Sequence, residues 1–268
     1  MQEALVWHAF KHRNIVPFFC ADSTTFPHPA RAMVSRWMAQ GSVLEYIAKN
    51  SPVAQYAVEL LHDVIHGLSF LHSANIVHGD LCGRTILIDA NGRACLSDFG
   101  LAFLVESGPV LISSARWNAP ELSVSGPSLK PTHLSDVWAF GCVCGEIWTE
   151  GTAPFSHFLH ERDIPILAFA DSDNNSTVKQ PYQTRPSDKQ GTLMPDRLWE
   201  LTQRCWRYDP SERPPVQIVV DVVTEMKGSR RSTADTFLEQ GDGMPSVASA
   251  LRTRDVASQS LSPSSSGA

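Results

Sequence analysis

Two short polar motifs hold the carboxylates that could do chemistry in this chain. His78-Gly79-Asp80 comes just before one predicted strand, and Asp98-Phe99-Gly100 comes just after the next. Carboxylates delivered from two strand ends can converge on one site, where Asp80 would orient a hydroxyl nucleophile and Asp98 would bind a hard cation such as Mg²⁺. Each motif alone is a weak signal, because an Asp-Phe-Gly sequence is as often a simple turn.

The elements that must position these motifs follow from the hydrophobic periodicity. Residues 32–36 indicate a short strand, and Ser42 is the predicted cap of a short helix that starts at Val43. Apolar residues recur at spacings of three and four over residues 53–72, which predicts a long helix with one broad buried face. Helical spacing is also present over residues 4–10.

The two motifs are separated by a predicted β-hairpin. Ile86-Leu87-Ile88 and Ala94-Cys95-Leu96 are the strands, and Asn91-Gly92 is a tight turn between them, since this pair tolerates positive φ at both positions.

The second half of the chain is mostly helical in pattern. Residues 137–148 are apolar almost all round, which predicts a helix at the centre of a domain. Residues 171–192 are polar and are interpreted as an exposed loop, and helical spacing resumes at 198–206 and 216–226. Residues 228–268 are Ser-rich and polar, so we expect a disordered tail.

The order and intervals of six motifs resemble those of eukaryotic protein kinases. The motifs occupy residues 77–81, 86–88, 98–102, 116–121, 135–141 and 205–214. The resemblance covers about residues 1–227, and residues 37–41 and 117–121 are most similar to the tyrosine-kinase-like group of Ser/Thr kinases. It implies an α+β, protein-kinase-like fold, with residues 1–34 as a remnant of the N-terminal lobe and residues 35–227 as the helical C-terminal lobe.

The resemblance assigns the phosphoryl-transfer roles to three acidic residues. Asp80 matches the catalytic-loop aspartate that receives the proton of the substrate hydroxyl, and Asp98 matches the Mg²⁺-binding aspartate. Glu3 matches the helix-C glutamate that pairs with the ATP-orienting lysine. The implied cofactors are therefore ATP and Mg²⁺, and the implied substrate is a protein.

The resemblance also assigns residues around the adenine ring. Ser35 is at the gatekeeper position, Arg36 and Met38 lie in the hinge, and Leu87 forms the floor of the pocket.

Four further positions match structural residues of the family. His78 belongs to the catalytic loop, Asp136 matches the carboxylate that braces the backbone of that loop, and Glu121 and Arg213 match a buried ion pair.

The chain departs from the family pattern at several of these positions. Only Met1 and Gln2 precede Glu3 in the given sequence, so the Gly-rich loop and the strand lysine are not in it. Thr85 stands where the family has an Asn cation ligand, and Cys82 stands where a lysine is frequent; a hydroxyl is a poorer cation ligand than an amide carbonyl. Gly79 replaces an arginine, so a phosphate on Ser113 or Ser114 would lack its usual partner.

Two functions fit this pattern. The first is a protein kinase that transfers phosphate to Ser, Thr or Tyr, in which this chain is impaired or inactive. The second is a pseudokinase-like scaffold that binds a protein partner.

Composition and sequence patterns argue against several other classes of protein. A formal net charge of −6 and a pI near 5.9 predict neither a nucleic-acid partner nor a membrane-surface partner. The six cysteines form no Cys-x-x-Cys pair, and residues 1–20 have no apolar core of a signal peptide. No apolar run approaches the ~18 residues of a membrane span. We therefore expect an intracellular, cytoplasmic protein.

One histidine pair suggests a metal site. His62 and His66 lie four residues apart on the predicted long helix, which is compatible with metal binding, but the sequence shows no third ligand. A polar helix face is the favoured interpretation.

Overall fold

The computed structural model describes residues 7–8, 10–22, 32–51, 53–99, 115–124, 130–164 and 179–239. Glu3, Ser113, Ser114 and most of the predicted helix at 4–10 lie outside these ranges. The chain divides into two units, Met1–Lys227 and Gly228–Ala268, and the first holds the hydrophobic core.

The N-terminal part contains a two-stranded antiparallel sheet. Strand β1 (Phe18–Asp22) pairs with β2 (Ala32–Ser35), which confirms the strand predicted at 32–36. The chain enters β1 after Ile15 and Val16, which are buried, and the N–H of Val16 donates to the carbonyl of Leu96 at 2.9 Å. This bond attaches the small sheet to the rest of the core.

Helix α1 (Val43–Lys49) begins where predicted. The Ser42 hydroxyl accepts from the N–H of Glu45 at 3.3 Å, and the Glu45 carboxylate accepts from the N–H of Ser42 at 2.7 Å. This capping box satisfies two backbone donors that the first turn leaves open. Val43 and Ile47 face the core.

Helix α2 (Ala57–Ser73) is the long helix of the sequence pattern, with ten buried residues along one broad face. It is shorter than predicted at its N-terminus, because residues Val53–Gln55 form a separate 3-10 turn. Helix α2 packs on the hairpin of β3 (Ile86–Ile88) and β4 (Ala94–Leu96), which are paired as predicted.

The turn of this hairpin differs from the prediction in one respect. Gly92 has φ of +76°, whereas Asn91 is not among the described residues with positive φ. The N–H of Gly92 donates to the carbonyl of Asp89, and the N–H of Asp89 donates to the carbonyl of Arg93. The loop is therefore longer than a two-residue turn, and it needs the left-handed conformation only at the glycine.

Helix α4 (His133–Trp148) is the centre of the first unit, and residues 135–148 of it are all buried. It follows the short helix α3 (Pro120–Val124), and it contacts both α2 and α5 (Asp196–Cys205). Its predicted position and its burial on all sides are confirmed.

One expectation for the C-terminal part holds in part and one is wrong. Residues 179–192 are irregular and mostly exposed, as expected, but Pro181, Tyr182 and Asp188 within them are buried; residues 171–178 lie outside the described ranges. The last helix, α6 (Val216–Glu239), continues past Gly228, where we expected disorder to begin, and the rest of that tail is likewise not described.

The expected α+β class is confirmed by these elements. Among the described residues, no helix combines the length and the apolar character needed to cross a membrane.

Candidate active site

A single buried carboxylate from α4 holds the start of the catalytic loop. Asp136 accepts from the N–H of His78 at 2.8 Å and from the N–H of Gly79 at 2.9 Å. The ring Nε2 of His72, at the end of α2, lies 2.9 Å from the same carboxylate, and both side chains are at most 5% exposed. This network fixes the backbone that leads into Asp80, as the family resemblance implied.

Asp80 is 9% exposed and borders a small cavity of about 10 Å³, together with Trp117 and Asn118 from the segment before α3. Its backbone N–H donates to Nδ1 of His78 at 3.3 Å. A carboxylate can accept the proton of a hydroxyl group that reaches it.

Thr85 closes the other end of the catalytic loop. Its hydroxyl donates to the carbonyl of Asp80 at 2.9 Å and accepts from the N–H of Cys82 at 3.2 Å. The residue is 7% exposed. The only side-chain oxygen of Thr85 is thus engaged in bonds within its own loop.

Asp98 reaches the site from the end of β4. The N–H and the hydroxyl of Ser97 both donate to the carbonyl of Thr85, at 2.9 and 3.0 Å, which joins the two loops. Asp98 itself is exposed and has φ of +53°, and its Oδ2 lies 3.2 Å from the Ser97 hydroxyl oxygen. A left-handed backbone is tolerated by aspartate.

Buried rings surround the base of these loops. Phe99 is 3% exposed, and its ring centroid lies 5.3 Å from Trp7 and 6.4 Å from His78. Burial lowers the pKa of His78, while the nearby carboxylates of Asp136, Asp80 and Asp98 raise it in part. Because burial is the larger effect, the ring is neutral at pH 7.

The residues expected around adenine lie on two segments that meet. The N–H of Ile88 donates to the carbonyl of Gly41 at 2.9 Å, and Leu87 forms a bridge with Ser42, so the hinge segment lies beside β3. Met38 is buried, Ser35 and Leu87 are partly exposed, and Arg36 is exposed. Glu3 cannot be placed, because it lies outside the described residues.

Glu121 and Arg213 form a two-pronged ion pair. Nη1 and Nη2 of Arg213 lie 2.7 Å from Oε1 and Oε2 of Glu121, respectively. The arginine side chain is fully buried and that of the glutamate is 20% exposed.

Sequence reasoning missed Glu146, which connects the catalytic loop to the segment before α3. Its carboxylate accepts from the N–H of Gly83 at 2.8 Å and from the indole N–H of Trp117 at 3.0 Å. Burial raises the pKa of Glu146 to about 7, although both hydrogen bonds and Arg84 act in the opposite direction. The signal was present as one carboxylate inside an otherwise apolar helix pattern.

The arrangement brings one buried carboxylate and one exposed carboxylate to neighbouring loop ends. Asp80 and Asp98 come from adjacent loop ends, and an aspartate is a normal Mg²⁺ ligand. Thr85 does not fit as a second ligand, because its oxygen is turned into the loop.

A sequence model described as protein tyrosine and serine/threonine kinase matches residues 1–223. Tyrosine-protein kinase receptor svh-2 of Caenorhabditis elegans is 29% identical over 257 residues, covering 89% of this chain and 22% of the relative. Serine/threonine-protein kinase STY17 of Arabidopsis thaliana is 28% identical, covering 84% and 37%. Serine/threonine/tyrosine-protein kinase HT1 of the same plant is 27% identical, covering 91% and 56%. The chain therefore spans only part of the length of each of these relatives.

Proposed function

Because the chain belongs to the protein tyrosine and serine/threonine kinase family, we propose that it carries an impaired phosphotransferase site for Ser, Thr or Tyr hydroxyl groups of proteins. Asp80 accepts the hydroxyl proton, and Asp98 holds the cation that accompanies ATP. Magnesium neutralises phosphate charge in such reactions. The geometry supports these roles because both carboxylates emerge from loops that are fixed by buried hydrogen bonds.

The observation that carries the impairment is the position of the Thr85 hydroxyl. It donates to the Asp80 carbonyl and accepts from the Cys82 N–H, so it offers little to a second cation. Phosphoryl transfer depends on positioning and charge neutralisation, and each loss of about 1.4 kcal/mol of transition-state stabilisation slows it tenfold.

Membership of the kinase family also predicts which parts of the chain surround the nucleotide. We propose that residues 1–34 belong to an N-terminal lobe, that 35–227 form the C-terminal lobe, and that 228–268 are a tail. The change from a two-stranded sheet to helices after Ser35 supports this division. Ser35, Arg36, Met38 and Leu87 then border the adenine, with Glu3 as the expected partner of an ATP-orienting lysine.

A scaffold that binds a protein partner is the second candidate. It is favoured by three exposed apolar side chains near the start of the hinge, Met33, Val34 and Trp37, the last of which is 87% exposed. Exposed apolar surface of this kind is common at protein interfaces.

The test compares wild type, Thr85→Asn and Asp80→Asn in radiolabelled-ATP assays on generic Ser/Thr and Tyr substrates. We expect wild type to equal the Asp80→Asn control and Thr85→Asn to exceed both, because an amide carbonyl restores a cation ligand. Incorporation by wild type well above the Asp80→Asn control would contradict the impairment.

A binding measurement separates the two candidates. Thermal-shift titration with Mg·ATP should raise the melting temperature of wild type, and Asp98→Ala should abolish that rise. No rise in wild type, together with no activity in Thr85→Asn, would favour the scaffold.

A further inference from the structure

The histidine pair on α2 has a cationic neighbour from another helix. The rings of His62 and His66 lie with their centroids 4.2 Å apart, and Nζ of Lys227 on α6 lies 3.1 Å from Nδ1 of His62. Within the described ranges, no three His, Cys, Asp or Glu side chains are placed to hold a metal ion. An ammonium group beside the pair repels a metal cation, so the pair does not complete a metal site.

The surrounding groups make this corner electropositive. Hydroxyl Oγ1 of Thr224 lies 3.4 Å from Nε2 of His66, and the charges of Arg13 and Lys227 both act on His66. His12 is the third imidazole of the cluster and is close enough to His66 for their charges to interact.

One carboxylate opposes these groups. Oδ1 of Asp63 lies 3.7 Å from Nδ1 of His62, and its Oδ2 accepts from the N–H of Ala94 at 3.2 Å. Two permanent cations and three imidazoles therefore face a single carboxylate that is already engaged with the backbone.

We propose that His62, His66, Lys227 and Thr224 form a binding site for a phosphate-type oxyanion, which is bound with uptake of protons by the histidines. The donors come from two helices that converge. Because Nδ1 of His62 accepts from Lys227, a neutral His62 carries its proton on Nε2, where it is a donor. Lys227 retains further N–H groups, and a protonated His66 adds another donor.

The protonation behaviour of the cluster supports this assignment. Burial and the charge of Lys227 lower the pKa of His62 to about 4, and the same two causes lower the pKa of His66. Burial, His66 and Arg13 lower the pKa of His12. An oxyanion offsets the repulsion among these groups, so its binding raises the pKa of the histidines and becomes tighter as pH falls.

The experiment follows the ring signals of His62 and His66 by NMR between pH 3.5 and pH 8, with and without sulfate, so that the titration of His62 near pH 4 falls within the range. Sulfate keeps its charge over this range, so only the protein titrates. We expect sulfate to raise both titration midpoints by about half a pH unit or more, and sodium chloride at equal ionic strength to have a smaller effect.

Two variants make the result specific. Lys227→Met should raise the midpoints without any anion and remove most of the response to sulfate, and Thr224→Val should weaken the response. Lys49→Met is the matched control, because it removes an exposed lysine on α1 and should leave the response unchanged.

Two results would overturn the proposal: equal responses to sulfate and chloride, or a full sulfate response in Lys227→Met. Inorganic phosphate and a phosphoserine peptide distinguish the source of the anion. A response to phosphate alone would identify the ligand as a free anion. A response to both probes would identify it as a phosphoryl group on a protein.

Discussion

Two buried carboxylates of one helix hold the loops of the candidate site. Asp136 accepts from the backbone at His78 and Gly79, and Glu146 accepts from Gly83 and from Trp117. Such acceptors are effective in a low-dielectric interior only while they are paired.

Glu146→Gln should change the pH dependence of stability. An acid whose pKa is raised on folding stabilises the fold below its unfolded pKa and loses that contribution as pH rises through its folded pKa. For Glu146, this contribution to stability is lost as pH rises from 4.5, the pKa of the group in a model peptide, to about 7, its pKa in the folded protein. Glutamine keeps an acceptor but has no charge, so relative to wild type it should gain up to roughly 3 kcal/mol in unfolding free energy between pH 5 and pH 8.

Urea unfolding of both proteins across this pH range measures the difference. Glu200→Gln is the control, because it makes the same substitution at an exposed position on α5. A difference for Glu146→Gln that does not vary with pH would show that the buried carboxyl does not titrate in this window.

At the residue scale, the sequence alone predicted some side-chain contacts and missed others. The pairing of Glu121 with Arg213 could be predicted because the spacing of whole motifs resembles a family, and the structure has this pair; the roles of Asp80 and Asp98 stay predictions from the same resemblance. Glu146 could not be assigned in this way, because its donors are 63 and 29 residues away in sequence and only the packing of α4 brings them together.

At the element scale, α2 meets the β3–β4 hairpin at a point where a side chain would not fit. A Cβ at Gly67 would lie 2.7 Å from the backbone oxygen of Asn14 and 3.1 Å from the side chain of Leu96. That oxygen also accepts from the N–H of Leu96 at 2.9 Å, so it cannot withdraw freely.

Gly67→Ala should therefore destabilise the fold by roughly 1–3 kcal/mol, because the crowding outweighs the better helix propensity of alanine. Gly228→Ala is the matched helical control, since nothing lies within 4 Å of its added Cβ. It should stabilise α6 by up to about 1 kcal/mol. Chemical denaturation checks both, and a neutral or stabilising Gly67→Ala would mean that the helix and the hairpin are less tightly packed.

Hydrophobic periodicity identified the helices and strands, but it did not show where each one begins or which residues of a polar segment are buried. The apolar pattern of α2 continues into residues 53–55, so it cannot show that the chain is interrupted at Tyr56. The polar segment at 179–192 is irregular and mostly exposed, as expected, except around a buried aromatic residue. Tyr182 stacks on Trp206 with ring centroids 5.9 Å apart, and composition gives no sign of that contact.

At the scale of the whole molecule, Arg213 connects parts that are distant in sequence. Besides Glu121 at the start of α3, its guanidinium donates to the carbonyls of Leu134, Arg207 and Tyr208 at 3.0, 2.8 and 3.1 Å. It also lies over the ring of Trp138, 5.2 Å from the centroid. Every donor direction of the planar group is used, which a lysine ammonium cannot reproduce.

Removal of Arg213 should consequently destabilise the first unit whether or not the site is catalytic. Arg213→Ala leaves a carboxylate and three carbonyls without their donor and should cost on the order of 3–5 kcal/mol. Arg213→Lys should also be destabilising, because it restores the charge without the paired geometry. Glu121→Ala and the double mutant complete a double-mutant cycle. Because the two side chains are in contact, their unfolding free energies should be non-additive by roughly 0.5–3 kcal/mol.

The chain contains its own reference for this cycle. Arg197 and Glu225 form a second Arg–Glu pair, but their side chains are 50% and 61% exposed. The same double-mutant cycle on this pair should give a coupling energy below about 1 kcal/mol, because water and salt screen exposed charges. If the Glu121–Arg213 coupling is no larger than that of the exposed pair, the buried pair does not hold the start of α3 to the segment before α6.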